Sequence, residues 1–236
     1  TSSRPIGLVF AAWGGTRVEA WMSSEAIAAA SVNVVPGHAI LPPLDTEQNN
    51  VSALYNAMVA PFNPLSIRAA LWYQGERNCH PLPASATALN VTRASYYAAY
   101  LEAMIADWRE RKRMGDFAFL VMGLPPSLLS TDPRGTGDAT GFADVRLGQL
   151  DVIPRSEGPT DISGVATTID LGGSSAWGPI HPPNKNEMSQ RLALQTLHVA
   201  YALQGRLPMS NGDTSLWTGP VLDGIASAGS DNRLTI

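Results

Sequence analysis

The chain has 236 residues, 44% of them hydrophobic and 15% charged, with a net charge of -4 at pH 7. That apolar share supports a folded core and excludes a disordered or collagen-like chain, and the length suits one domain with or without a piece of a second. Scattered basic residues on a slightly acidic chain argue against a nucleic-acid partner, and no apolar run nears the ~18 residues of a membrane-spanning helix.

Strand and helix patterns alternate along the chain. Residues 6–12 (IGLVFAA) form a continuous apolar run ending in Gly14-Gly15, which predicts a strand buried on both faces. Residues 18–30 are rich in Ala and helix formers and predict a helix. A loop rich in proline follows, then a short helix over 51–59 and a second buried strand over 67–73. A long loop runs from Gln74 to about Thr92. Residues 93–113 carry a single apolar stripe of Tyr97, Leu101, Met104, Ile105 and Trp108, closed by a cation-rich last turn, and predict the clearest helix of the chain. A third strand is expected over 117–122, a helix over 142–153, a fourth strand over 164–170 and a last helix over 184–203. Beyond Gly205 the texture turns to short β-like runs.

This order implies an α/β fold built from βαβ units around a mostly parallel sheet. Ligands then bind beyond the carboxyl ends of the strands, so the residues after each strand matter most. After the first come Gly14 and Gly15. After the second come Gln74, Glu76 and Asn78, and after the fourth Asp170, followed by His181. Backbone N–H groups of a Gly-Gly turn can approach a ligand oxygen closely, and the Gln74 amide can add a further donor, which together would make an oxyanion hole. His181 suits a general base, with Asp170 or Glu76 orienting its ring. Each residue also has a plainer role open to it. Gly-Gly pairs serve as tight turns, Glu76 can cap or pair with an arginine, Asp170 can bond its own loop, and a histidine before proline can be structural.

Other chemistries find little footing. Cys79 is the one cysteine, so no disulfide framework forms within the chain and no cysteine-based zinc site is expected. No metal or organic cofactor is implied, since nucleotide-binding glycine motifs and paired metal histidines are absent, as is the GxSxG nucleophile turn.

Longer blocks carry a resemblance. Residues 6–16 (IGLVFAAWGGT) with Glu19-Ala20-Trp21, residues 70–78 (ALWYQGERN), Tyr96-Tyr97 with residues 104–109, residues 168–171, and residues 178–185 (GPIHPPNK) with 191–194 together resemble the sialate O-acetylesterases, in the same order and spacing. The resemblance implies a flavodoxin-like, SGNH-type three-layer α/β/α fold and a Ser-His-acid esterase acting on acetylated carbohydrates or glycans. It casts His181 as the base, Gly14, Gly15 and Gln74 as oxyanion donors, and Glu76 and Asn78 as parts of the same pocket. Many SGNH enzymes carry an aspartate three residues before the histidine, where this chain has Gly178. Asp170 is then the first candidate acid and Glu76 the second.

The family's GQSN-type serine turn has no counterpart here. The expectation is a segment lacking the nucleophile, with residues 1–204 forming the esterase domain, incomplete at its N-terminus, and 205–236 a linker and the start of a β-rich module. An N-terminal segment of the same protein would then be a partner, supplying the serine. The sequons at Asn50 and Asn90 and the family point to a secreted, extracellular or lysosomal setting. The alternative is a catalytically silent scaffold or glycan-binding module, suggested by Arg77 in the pocket.

Overall fold

Residues 118–122 (AFLVM) are apolar without interruption, and among the described residues they form the one strand buried along its whole length. A computed structural model describes residues 5–34, 46–82, 84–113, 115–127, 141–152, 162–178 and 180–201. Three parallel strands lie in the order β1 (Ala69–Trp72), β2 (Ala118–Met122) and β3 (Ser163–Ala166), with Ala70 beside Phe119 and Phe119 beside Ser163. Successive side chains of a strand point to opposite faces. On β2, Phe119 and Val121 enter one apolar core, while Ala118, Leu120 and Met122 enter another. Two cores on two faces make three layers, as the α/β/α expectation requires.

The first core is closed by α1 (Ser24–Val34), α3 (Arg93–Lys112) and α4 (Gly141–Asp151), with the short α2 (Ala84–Ala88) leading into α3. The expected α3 stripe faces inward: Tyr97, Leu101, Met104 and Ile105 are buried, and the Trp108 ring meets Trp72 and Phe119 edge-on. Thr92 caps the helix by accepting the Ser95 N–H, and Arg113 in the left-handed region ends it. On the other face, α5 (Lys185–Thr196) lays Met188 and Leu192 against β2.

Helices α3 and α4 approach closely because position 148 is glycine. A Cβ there would sit 2.6 Å from the Ala94 carbonyl oxygen and 3.2 Å from the Ala98 nitrogen, both backbone atoms that cannot swing aside. Gly148→Ala would gain up to ~1 kcal/mol of helix propensity but force the helices apart, for an overpacking cost of ~1–3 kcal/mol. The clash wins, and the denaturation midpoint should fall; an unchanged or higher midpoint would show that α4 has room to shift.

Several expected boundaries move. The helix over 18–30 is a 3₁₀ turn, Val18–Trp21, followed by α1. The fourth strand stops at Ala166, and residues 169–170 turn instead. The long loop after β1 holds a 3₁₀ turn, Glu76–Cys79, as well as α2. The largest correction concerns residues 6–12. They are in no strand, and Leu8 and Phe10 are 89% and 90% exposed. Hydrophobicity can demand a partner but cannot supply one, and no described strand runs beside this segment or along the outer edge of β1. Residues 205–236, read as linker and β-rich module, lie outside the described residues.

Candidate active site

The carboxyl end of β1 turns at Gly75, whose φ of +151° an L side chain rarely adopts; a Cβ there would lie 2.9 Å from both Leu124 Cδ1 and Val145 Cγ1, so those side chains would have to shift. The chain then enters the 3₁₀ turn, with the Asn78 N–H donating to the Gly75 carbonyl at 2.9 Å. Gln74, Glu76 and Asn78 are thereby placed at one end of the sheet.

Gln74 and Asn78 join a buried polar network. The Gln74 amide donates to the Thr16 carbonyl at 2.9 Å and to Asn78 Oδ1 at 2.7 Å, and its Oε1 accepts from the Tyr97 hydroxyl at 3.0 Å. Asn78 Oδ1 also accepts the Val18 N–H at 3.0 Å, and Asn78 Nδ2 donates to Glu19 Oε2 at 2.9 Å. The other Glu19 oxygen accepts from the Tyr96 hydroxyl at 2.9 Å, and the Glu19 side chain is almost wholly buried. Burial and the Glu19 charge push the Tyr96 hydroxyl far above its ordinary range. Beneath the network, Gln149 on α4 donates to the Gln74 carbonyl.

The Gly14-Gly15 turn is anchored to this network through its flanks. Asn49 Nδ2 donates to the Gly15 carbonyl at 3.1 Å, and Thr16 Oγ1 donates to the Trp13 carbonyl at 2.7 Å. Gly15 takes a φ of +73°, and both glycines face open space. Their N–H groups donate to no described residue. For Gln74 the expected role changes. Both of its amide hydrogens are committed, to Thr16 and Asn78, so it has none left for an oxyanion. Asn78 keeps one amide hydrogen with no described acceptor.

His181 lies on an exposed loop leading to α5. Its Nδ1 is 2.7 Å from the Trp177 carbonyl oxygen. Four residues on, Lys185 Nζ donates to the Tyr73 hydroxyl at 2.8 Å and lies over its ring, so the start of α5 is tied to the end of β1. Burial raises the Glu76 carboxyl above its ordinary value, while the nearby charges of Lys185 and His181 pull it back, which places all three in one electrostatic neighbourhood. Asp170 is differently engaged. Arg191 holds both of its oxygens and also reaches Glu187 at 2.7 Å, and this pairing lowers the Asp170 carboxyl. No hydrogen bond joins Asp170 or Glu76 to the His181 ring. Asp170, expected as the partner of His181, is here paired with Arg191 of α5 instead of the ring.

Sequence reading gave Glu19, Tyr96 and Lys185 no role of their own, although all three lie in the blocks that carry the resemblance. An acidic residue inside the otherwise buried turn VEAW was the available sign for Glu19. Among the described residues, no three His, Cys, Asp or Glu side chains gather as a metal ion would need. No described helix is long and apolar enough to cross a membrane.

Comparison with known proteins converges on one group. The family model described as carbohydrate esterase, sialic acid-specific acetylesterase matches residues 1–130. Sialate O-acetylesterase from Homo sapiens is 29% identical over 221 residues, covering 88% of this chain and 39% of the relative. The Mus musculus sialate O-acetylesterase is 29% identical over 248 residues, covering 88% and 42%. Among solved structures, a carbohydrate acetylesterase from Xanthomonas citri aligns with a TM-score of 0.60 at 28% identity, over 81% of this chain and 36% of that one. The chain thus spans about two fifths of the length of these relatives.

Proposed function

The chain belongs to the sialic acid-specific acetylesterase family of carbohydrate esterases, and from that premise we propose that it forms the histidine-bearing part of a serine esterase removing O-acetyl groups from carbohydrates. The observation that carries this reading is the anchoring of two distant segments at the end of β1. Thr16 binds the Gly14-Gly15 turn region to Gln74, and Lys185 binds the His181 loop to Tyr73. This anchoring supports a reading in which a base and a set of backbone donors share one rim.

In the proposed reaction, a serine hydroxyl from an N-terminal segment of the same protein attacks the acetyl carbonyl carbon while His181 takes its proton. The carbonyl oxygen becomes an oxyanion, met by the N–H groups of Gly14 and Gly15 and by the uncommitted Asn78 amide hydrogen. Each such donor is worth ~2.7–4 kcal/mol in the transition state. The tetrahedral species collapses, breaking the ester bond, and His181 returns the proton to the departing sugar oxygen. Water then attacks the acetyl-serine with His181 again as base, releasing acetate and restoring the hydroxyl. Gln74 holds Asn78 in place, and Glu76 and Lys185 form the charged wall beside His181. A secreted or lysosomal setting agrees with this substrate, and the asparagines of both sequons, Asn50 and Asn90, are exposed.

The test is acetate release from O-acetylated sialic acid and from an acetylated neutral glycan by the complete polypeptide. His181→Ala should lower kcat/KM by ~10²–10⁴-fold on the accepted substrate, the usual contribution of a general base. Glycan binding with no acetate release by the parent protein would instead favour the silent scaffold.

A further inference from the structure

The His181 loop contains its own orienting group. Ser175 and Gly178 exchange backbone hydrogen bonds, at 3.3 Å from the Ser175 N–H and 3.0 Å from the Gly178 N–H. The Trp177 N–H donates to Ser175 Oγ at 3.2 Å, and the His181 N–H donates to the Gly178 carbonyl at 3.2 Å. Because the Gly178 N–H is pinned to Ser175, the plane of the Trp177–Gly178 peptide is set. Its carbonyl must point from the opposite edge of that plane. There it meets His181 Nδ1 at 2.7 Å. Gly178 makes the turn possible with a φ of +106°, which an L side chain rarely adopts.

A carbonyl oxygen only accepts, so the neutral ring must carry its proton on Nδ1 and its lone pair on Nε2. We propose that the main-chain carbonyl of Trp177, in place of a carboxylate, is the group that sets the tautomer and orientation of His181. Neither carboxylate considered as its partner bonds to the ring: Asp170 sits in the fork of Arg191, and the ring contact goes to the Trp177 carbonyl rather than to Glu76. A carbonyl dipole lacks the full charge of a carboxylate, so it orients the base without offering an anion to the imidazolium. The Trp177 indole takes no part in this device and is 84% exposed. The catalytic consequence rests on the esterase function proposed above, while the tautomer itself does not.

The decisive measurement is the tautomer of His181 in the complete polypeptide labelled with ¹⁵N at histidine, read by long-range ¹H–¹⁵N correlation where the ring is neutral. The signal is assigned by its loss in His181→Ala. The Nδ1–H form should dominate in the parent, in Asp170→Asn, in Glu76→Gln and in Trp177→Ala, the last because the main chain survives. Gly178→Ala should strain the turn and mix the tautomers, and kcat should fall by ~100-fold with KM little changed, as expected for a misplaced base. A dominant Nε2–H form in the parent, or loss of the Nδ1–H form in Asp170→Asn or Glu76→Gln, overturns the proposal. A dominant Nδ1–H form in a protein that releases no acetate leaves the orientation standing and removes the esterase reading instead.

Discussion

Raising the pH past about 10 is expected to unfold this protein cooperatively, because its interior tyrosines cannot ionise in place. Tyr96, Tyr97 and Tyr100 are all but fully buried on α3, and burial is the largest cause raising each hydroxyl above its ordinary value. Tyr96 carries the added charge of Glu19 and stacks on Tyr100 at 4.2 Å. A raised value means that the folded state holds the proton more tightly than the unfolded chain does. Its stabilising contribution is complete below the unfolded value, about 10, and is lost as the pH climbs toward the folded values. Each tyrosine contributes a slope of about 1.4 kcal/mol per pH unit, so three give about 4 kcal/mol per unit. Against a typical stability of ~5–15 kcal/mol, roughly one to four units above the unfolded value suffice to unfold the chain. Tyrosinate absorbance and far-UV circular dichroism followed together should change at one midpoint, above the pH where free tyrosine titrates. Absorbance that rises near pH 10 while the dichroism stays native would mean that these hydroxyls reach solvent without unfolding.

Glu19→Ala should be among the most damaging substitutions in the chain. The carboxylate accepts hydrogen bonds from Tyr96 and from Asn78 in an interior without water access. Bonds to a charged group are worth ~1.5–3 kcal/mol each, so their joint loss costs ~3–6 kcal/mol. Two effects oppose each other here, since the substitution also removes a buried charge that was expensive to desolvate. The loss should win, because it leaves a hydroxyl and an amide donor buried without acceptors and removes the bond that holds Asn78 Nδ2. Glu19→Gln should cost less, retaining one acceptor while setting an amide against a donor. Chemical denaturation of both variants checks the ranking. A cost under ~1 kcal/mol for Glu19→Ala would mean that the two donors find other acceptors. Because Asn78 is the amide proposed to meet the oxyanion, kcat should fall in both variants even at temperatures where they remain folded.

What could be read without the structure was whatever depends on neighbours along the chain. The stripe of α3 was legible because residues three and four apart share a helix face, and β2 because a short apolar run between turn signals suits a strand buried on both sides. The cluster of polar residues at Gln74, Glu76 and Asn78 was legible as the carboxyl end of β1, since ligands of parallel sheets bind beyond the strand ends. Hydrophobicity misled at residues 6–12, where it states a preference for burial but names no partner.

The roles inside the rim belong to the tertiary structure. Gln74 looked like a free donor until Thr16 and Asn78, 58 and 4 residues away in sequence, took both of its hydrogens. Asp170 looked like the acid beside His181 until Arg191, 21 residues on, claimed both of its oxygens. The group that does face His181 is a peptide carbonyl, which every residue possesses and no sequence pattern marks. Chemical identity and local spacing specify which groups a segment carries. Only packing decides which donor and acceptor end within 3 Å of each other, because a hydrogen bond depends on distance and direction in space.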